Sequence, residues 1–184
     1  MADCEKQLWE LVRTIEPTRT QKFGVARSHK YLRDILCTGQ TAARISKSYL
    51  SGSYKRGTAI YPLDDVHIIF VIDPSQWHGS FGLSLTLLFG SSTYPSPASV
   101  LESFANAIRY RYPDNSVHRQ RRFVCLRLHR LGIDVVPAIQ DRKDSKLIRI
   151  PDRGATEWVV SSPLRPCCVR GWKEGRAGYA VAAS

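Results

Sequence analysis

No stretch of this sequence carries enough consecutive apolar residues to cross a membrane, since a spanning helix needs about 20 of them. The N-terminus, Met-Ala-Asp-Cys-Glu, also lacks the positively charged segment with which a secretory signal begins. The 184 residues are 43% hydrophobic and 23% charged, which is typical of a globular domain of ordinary size. We therefore expect a soluble, cytoplasmic protein with no membrane partner.

Cysteine is sparse, and its spacing is irregular. The five cysteines are Cys4, Cys37, Cys125, Cys167 and Cys168. No CxxC pair and no paired histidines accompany them, so the spacing indicates neither a zinc site nor a disulfide framework. An odd, scattered set of thiols is typical of a reducing compartment.

Two common nucleotide-binding motifs are missing, and acidic residues are few. The chain has no Walker A pattern and no G-x-G-x-x-G, which argues against P-loop and Rossmann chemistry. Its 27 Lys and Arg outnumber 16 Asp and Glu, for a formal net charge of +11. This charge favours polyanionic partners such as nucleotides or nucleic acid, although a solvated basic surface would explain it equally well.

Hydrophobic periodicity predicts helices at the start of the chain and near its middle. Residues 5–15 and 18–36 carry apolar side chains at helical spacing, namely Leu8, Leu11, Val12 and Ile15, then Val25, Leu32, Ile35 and Leu36. Ser96 and Pro97 predict the start of a further helix, whose buried face would hold Leu101, Phe104 and Ile108. We expect one domain over residues 1–165, with helices in 5–36 and a sheet region in 43–163, followed by a loose tail at 166–184.

The most informative stretch runs from residue 50 to residue 72. A run of β-branched and aromatic residues at 66–72 predicts a strand, and Asp64 and Asp65 stand where it begins. Because strand side chains alternate, Asp65 and His67 share one face and Asp64 lies on the other. A carboxylate on the core side of an apolar strand is costly unless a group such as a metal ion compensates its charge.

A Gly-Ser turn precedes this strand and has physical reasons to bind phosphate. Glycine allows close backbone approach, and serine can cap a following helix and offer its hydroxyl. The free N–H groups at a helix start favour an anion. Lys55, Arg56 and Gly57-Thr58 follow the pair, and with them the turn becomes a more specific signal. The predicted nucleotide-binding residues are Gly52, Ser53, Lys55, Arg56 and Thr58.

A second carboxylate is embedded in a second predicted strand. Residues 122–128 alternate as a strand, Gly132 marks a turn, and 133–138 read Ile-Asp-Val-Val-Pro-Ala. Asp134 thus sits among apolar neighbours, where a structural ion pair would explain it as well as a metal site. The basic cluster before this region makes nucleic acid a further candidate partner, through Arg119, Arg121 and Arg122.

These motifs, in this order, resemble those of the polymerase-β-like nucleotidyltransferases. The likeness is greatest to the bacterial cyclic-oligonucleotide synthases related to cyclic GMP-AMP synthase and oligoadenylate synthetase. It rests on Gly-Ser-x-x-x-Gly-Thr at 52–58, on Asp65 at a strand start and on the phrase around Asp134, and it covers roughly residues 8–163. It implies an α+β fold, in which helices pack on a mixed sheet and Asp65 approaches Asp134 across neighbouring strands.

The resemblance also implies an activity and its cofactor. Such enzymes join nucleoside triphosphates into cyclic or linear oligonucleotides, and they use two Mg²⁺ (or Mn²⁺) ions held by three carboxylates. The implied biological role is bacterial antiviral defence. Asp65 and Asp134 match two of the metal-binding catalytic positions, and His67 occupies the third. Histidine brings no negative charge and only a nitrogen ligand, so we expect very low transfer activity or none.

Alternatives to an active synthase remain open at this stage. One is a nucleotide-binding pseudoenzyme or truncated family member, because the synthases continue into a helical lobe that this sequence does not contain. A truncated gene product and a naturally minimal nucleotidyltransferase would both fit that difference. The other alternative is a basic nucleic-acid-binding module.

Overall fold

The computed structural model describes residues 2–38, 41, 44–73, 94–113, 116–128, 131–141 and 144–162. Along these residues the elements are α1 (Ala2–Ile15), α2 (Arg19–Thr38), β1 (Ile45–Ser51), α3 (Gly52–Arg56), β2 (Asp65–Ile72), α4 (Pro97–Arg111), β3 (Ser116–Arg119), β4 (Val124–Leu128), β5 (Leu131–Gln140), β6 (Ile148–Pro151) and β7 (Trp158–Ser161). The tail expected at 166–184 lies outside the described residues. No helix in the described ranges is long and apolar enough to cross a membrane.

Seven strands form one mixed sheet in the order β1-β2-β5-β4-β3, with β6 beside β5 and β7 beside β6. Strands β2 and β5 run parallel, and every other pair is antiparallel. Strand β5 is ten residues long. Its first half pairs with β4, and its last two residues, Ile139 and Gln140, pair with β6. The expected α+β architecture is confirmed.

The main core lies between one face of the sheet and the helices α2 and α4. From β2 it takes Val66, Ile68, Phe70 and Ile72, which alternate along the strand as an apolar face should. The apolar residues predicted for α2 and α4 are buried in the same core. Helix α4 begins as expected, with Pro97 in its first turn and the backbone N–H of Ser99 donating to the Ser96 hydroxyl.

The opposite face of the sheet holds a smaller apolar cluster and, at one end, the charged residues. Ile69, Val71, Ala138 and Ile148 form this cluster. The expectation that Asp65 lies on the core side is wrong: it points with His67 away from the main core, and 65% of its side chain is exposed. Because α2 and α4 cover the other face, the Asp65 carboxylate keeps much of its contact with water.

Gly132 does not form the turn that the sequence suggested. It lies inside β5, where its backbone N–H donates to the carbonyl oxygen of Asp64 at 2.7 Å. A Cβ atom at Gly132 would come within 3.2 Å of that oxygen. The glycine therefore permits a close approach of β5 to the residue just before β2, rather than a change of chain direction.

Candidate functional site

Three polar side chains meet where the parallel strands β2 and β5 begin. The strand register pairs His67 with Asp134, and Asp65 lies two residues earlier on the same face of β2. The His67 Nε2 atom is 3.1 Å from Asp134 Oδ2 and 3.4 Å from Asp65 Oδ2. One ligand atom from each residue lies within 4.8 Å of the other two, which is close enough for one cation. The expected approach of Asp65 and Asp134 is confirmed.

The imidazole of His67 lies between two negative charges. Its hydrogen bond to Asp134, together with the carboxylate charges of Asp134 and Asp65, raises its pKa above the ordinary 6.5, although partial burial acts in the opposite direction. Protonated His67 therefore offsets the repulsion between the two carboxylates. A cation that binds to Nε2 therefore competes with a proton.

Asp134 is held more firmly than Asp65, because only 14% of its side chain is exposed. Cys125, its register partner on β4, donates a thiol hydrogen bond to the carboxylate. Burial raises the pKa of Cys125 and the charge of Asp134 raises it further, so the group is a neutral thiol at physiological pH. Sequence reasoning missed Cys125, since alternation shows its face but not which strand lies beside it.

The Gly-Ser turn lies directly against this site. Gly52 has φ +72°, a left-handed conformation that favours glycine, and a Cβ there would stand 3.4 Å from His67 Nδ1. Ser53 lies inside α3 and does not cap it; the N-cap is Ser51, which makes no side-chain cap bond. The backbone N–H and the hydroxyl of Thr58 both donate to the Ser53 carbonyl oxygen and so close the turn. Binding of nucleotide by these residues stays a prediction.

Basic residues lie on α3 and in a separate cleft. Lys55 and Arg56 are exposed in the last turn of α3. A cleft of about 600 Å³, here called the arginine cleft, is lined by Arg119, Gln120, Arg121, Arg122, Phe123 and Arg153. The sequence had indicated three of these arginines, but not Arg153, which the loop between β6 and β7 brings to them.

The arginine cleft adjoins a smaller acidic cleft of about 360 Å³ that contains Asp65 and Asp134. Gln120 and Phe123 line both clefts. The Phe123 ring also stacks on the His67 ring, with centroids 6.3 Å apart and an interplanar angle of 25°. A single extended ligand could thus contact the carboxylates and the arginines at once.

The donor set does not match the three carboxylates that the resemblance implies for a pair of Mg²⁺ ions. Two carboxylates and one imidazole can hold a divalent cation. Mg²⁺ prefers hard oxygen ligands, and a nitrogen in the third position leaves a Mg²⁺ pair short of both charge and oxygen donors. Asp64 does not replace the missing carboxylate, because it precedes β2 and is absent from the group of mutually close ligand atoms.

The sheet order, the helices on one face and the acidic strand ends together define a polymerase-β-like nucleotidyltransferase fold. The family profile described as "Second Messenger Oligonucleotide or Dinucleotide Synthetase domain" matches residues 3–166. The chain therefore belongs to this family of bacterial cyclic-oligonucleotide synthase-like nucleotidyltransferases.

Known relatives agree with this assignment. A cyclic AMP-AMP-AMP synthase of Acinetobacter sp. is 30% identical over 161 residues, which are 86% of this chain and 43% of the relative. Among solved structures, Bradyrhizobium diazoefficiens CdnG in complex with GTP has a TM-score of 0.61 at 16% identity, over 82% of this chain and 42% of that one. The Rhodothermus marinus CdnE c-UMP-AMP synthase, solved with Apcpp and Upnpp, has a TM-score of 0.54 at 19% identity, over 82% and 54%. The chain thus spans about half the length of these relatives.

Proposed function

We propose that this chain is a nucleoside-triphosphate-binding nucleotidyltransferase, related to the synthases of cyclic or linear oligonucleotides but with impaired transfer activity, in cytoplasmic bacterial antiviral defence. The observation that carries the proposal is the meeting of Asp65 and Asp134 across β2 and β5. Family membership supports the substrate class, since the relatives' structures were solved with GTP or with Apcpp and Upnpp. The three described cysteines are all free thiols, which suits a reducing compartment.

The positions of the charged residues support a binding mode. Lys55 and Arg56 are exposed in the last turn of α3, which begins at the Gly-Ser turn, and the arginine cleft adjoins the acidic cleft at Gln120 and Phe123. Arg122 strengthens the case for an anionic ligand, because its buried Nε has no hydrogen-bond partner in the described part of the chain. Gly52 and Ser53 would contact phosphate oxygens beside His67. Because the donor set does not fit a pair of Mg²⁺ ions, we expect Mg²⁺-dependent transfer to be weak or absent, as in a binding-competent pseudoenzyme.

A basic nucleic-acid-binding module is a second candidate function. The observation in its favour is that Arg119, Arg121, Arg122 and Arg153 line one open cleft. Phe123 lies at its edge and could stack on a base, although it already stacks on His67. This candidate predicts tight binding of single-stranded oligonucleotide with a steep salt dependence.

One equilibrium-binding experiment distinguishes the two candidate functions. Labelled ATP and GTP are titrated with wild type and with Ser53→Ala, with Ser145→Ala in the distant β5–β6 turn as the matched control. We expect Ser53→Ala to weaken triphosphate binding by several-fold and Ser145→Ala to leave it unchanged. An unlabelled 12-nucleotide single strand should compete only weakly.

Unchanged triphosphate affinity in Ser53→Ala would contradict the role of the Gly-Ser turn. Failure of wild type to bind any triphosphate, with strong binding of the single strand, would overturn the proposed function in favour of the second candidate. Incubation of the same wild-type preparation with labelled triphosphates and Mg²⁺ should yield little or no oligonucleotide. Turnover that His67→Asp does not improve would show that position 67 is wrongly assigned.

A further inference from the structure

We propose that Asp65, His67 and Asp134 form a mononuclear site for a borderline transition-metal cation of the Zn²⁺ class, in preference to Mg²⁺. The inference deepens the proposed function, because the same three side chains border the expected triphosphate site. It can be tested with metal ions alone.

Two of the three distances between ligand atoms already fit such a site. Two ligands on a cation with bonds of 2.0–2.1 Å stand roughly 2.8–3.4 Å apart in octahedral or tetrahedral geometry. The His67 Nε2 atom lies 3.1 Å from one carboxylate oxygen and 3.4 Å from the other. Both separations are therefore already those between ligands of one small cation, and the third separation is within 4.8 Å.

The Nε2 atom of the imidazole faces the carboxylates. His67 Nδ1 lies on the side of Gly52, while Nε2 points to both aspartates. Asp134 is largely buried, so this donor is held in place before a cation arrives. Preorganised donors bind more tightly, because less conformational freedom is lost on binding.

The chemistry of the donors indicates the class of cation. Imidazole nitrogen suits Zn²⁺ and similar ions, whereas Mg²⁺ prefers oxygen and gives up its water reluctantly. Two carboxylates neutralise one divalent charge, so a single M²⁺ with a neutral imidazole leaves the site without excess charge. Asp65 and His67 remain 65% and 43% exposed, so the open coordination positions can take water or phosphate oxygens.

The test is calorimetric titration of metal-free protein with Zn²⁺ and with Mg²⁺, in the absence of nucleotide. We expect one Zn²⁺ to bind wild type. Loss of a partner in the outer shell of a metal site costs roughly 10–100-fold in affinity, so loss of a direct ligand should cost at least tenfold. Asp134→Asn removes a direct ligand and should therefore weaken Zn²⁺ binding about tenfold or more. His67→Asp exchanges a nitrogen donor for the oxygen donor that Mg²⁺ prefers, so it should lower the ratio of Zn²⁺ to Mg²⁺ affinity about tenfold or more. Asp34→Asn, an exposed carboxylate on α2 across the sheet from the site, is the matched control and should bind as wild type does.

The ratio matters more than the absolute affinity, since most mixed sites bind Zn²⁺ better than Mg²⁺. An unchanged ratio in His67→Asp would overturn the proposal, as would Zn²⁺ binding that both site variants leave intact. If His67→Asp fails to fold, imidazole ¹⁵N spectra of wild type replace it. Zn²⁺ should then shift the imidazole resonances of one of the five histidines, and these resonances are assigned to His67 by their absence from the spectrum of His67→Gln. A spectrum in which Zn²⁺ leaves the His67 resonances unchanged would contradict the proposal. Because no nucleotide is present, loss of metal binding and loss of triphosphate binding are separate outcomes.

Discussion

The two faces of β2 differ in polarity, although their residues alternate along one strand. One face is apolar throughout, from Val66 to Ile72, and is sealed by α2 and α4. The other begins with Asp65 and His67 and becomes apolar only at Ile69. The difference shows how a strand can contribute fully to the core while its first residues stay available for ligands. Substitutions on the first face should therefore change stability, and substitutions on the second should change binding.

The largest expected effect on stability is on the core face. Phe70 is fully buried and makes edge contacts with the rings of Phe104 and His29. Phe70→Ala should lower the free energy of unfolding by about 3–5 kcal/mol, through lost burial and the cavity left behind. Urea denaturation measures this loss. His67→Ala on the other face is the comparison variant, and an equal loss there would contradict the separation of the two faces.

A smaller effect is expected at Gly52, where the Gly-Ser turn meets the site. Gly52→Ala places a side chain in a left-handed conformation, which costs about 1–2 kcal/mol, and brings its Cβ to 3.4 Å from the His67 ring. Gly24→Ala is the matched control, because the new methyl group would meet nothing within 4 Å in the middle of α2. We expect thermal denaturation to show a lower midpoint for Gly52→Ala and an equal or higher one for Gly24→Ala. A Gly52→Ala midpoint equal to that of wild type would show that the turn tolerates a side chain.

The smallest expected effect is the pH dependence that His67 imposes on the metal-free fold. Because the native pKa of His67 is raised above 6.5, its contribution to stability is fully present below pH 6.5 and is lost as the pH rises through the native pKa. The stability difference between wild type and His67→Gln should therefore shrink from pH 5.5 to pH 8.5 in urea denaturation.

His29 should give stability the opposite pH dependence. Burial, with the nearby charge of Arg33, lowers its pKa, so its stabilising effect is lost as the pH falls below 6.5. The difference between wild type and His29→Gln should shrink toward acid pH. A His67 difference that also shrinks toward acid pH would mean that the two carboxylates do not hold its proton.

Much of this architecture could be predicted from local patterns. Alternation at 66–72 and around Asp134 indicated the two central strands, and helical spacing indicated α2 and the buried face of α4. These patterns succeed because an element that buries one face must repeat apolar residues at its own period. The same alternation placed Asp65 and His67 together, and the motif order indicated the family.

Local sequence patterns could not show which strands lie side by side, because pairing joins residues that are far apart in the chain; only the family resemblance implied that the strands of Asp65 and Asp134 are neighbours. The parallel register of β2 on β5 sets His67 beside Asp134, and the register of β4 on β5 adds Cys125. Tertiary structure likewise decided that Asp65 faces away from the main core, that Gly132 lies inside a strand and that Arg153 joins the arginine cleft. Local sequence thus determined which side chains lie on each face of an element. The order of the strands and the face of the sheet that the helices cover decided which of these side chains meet.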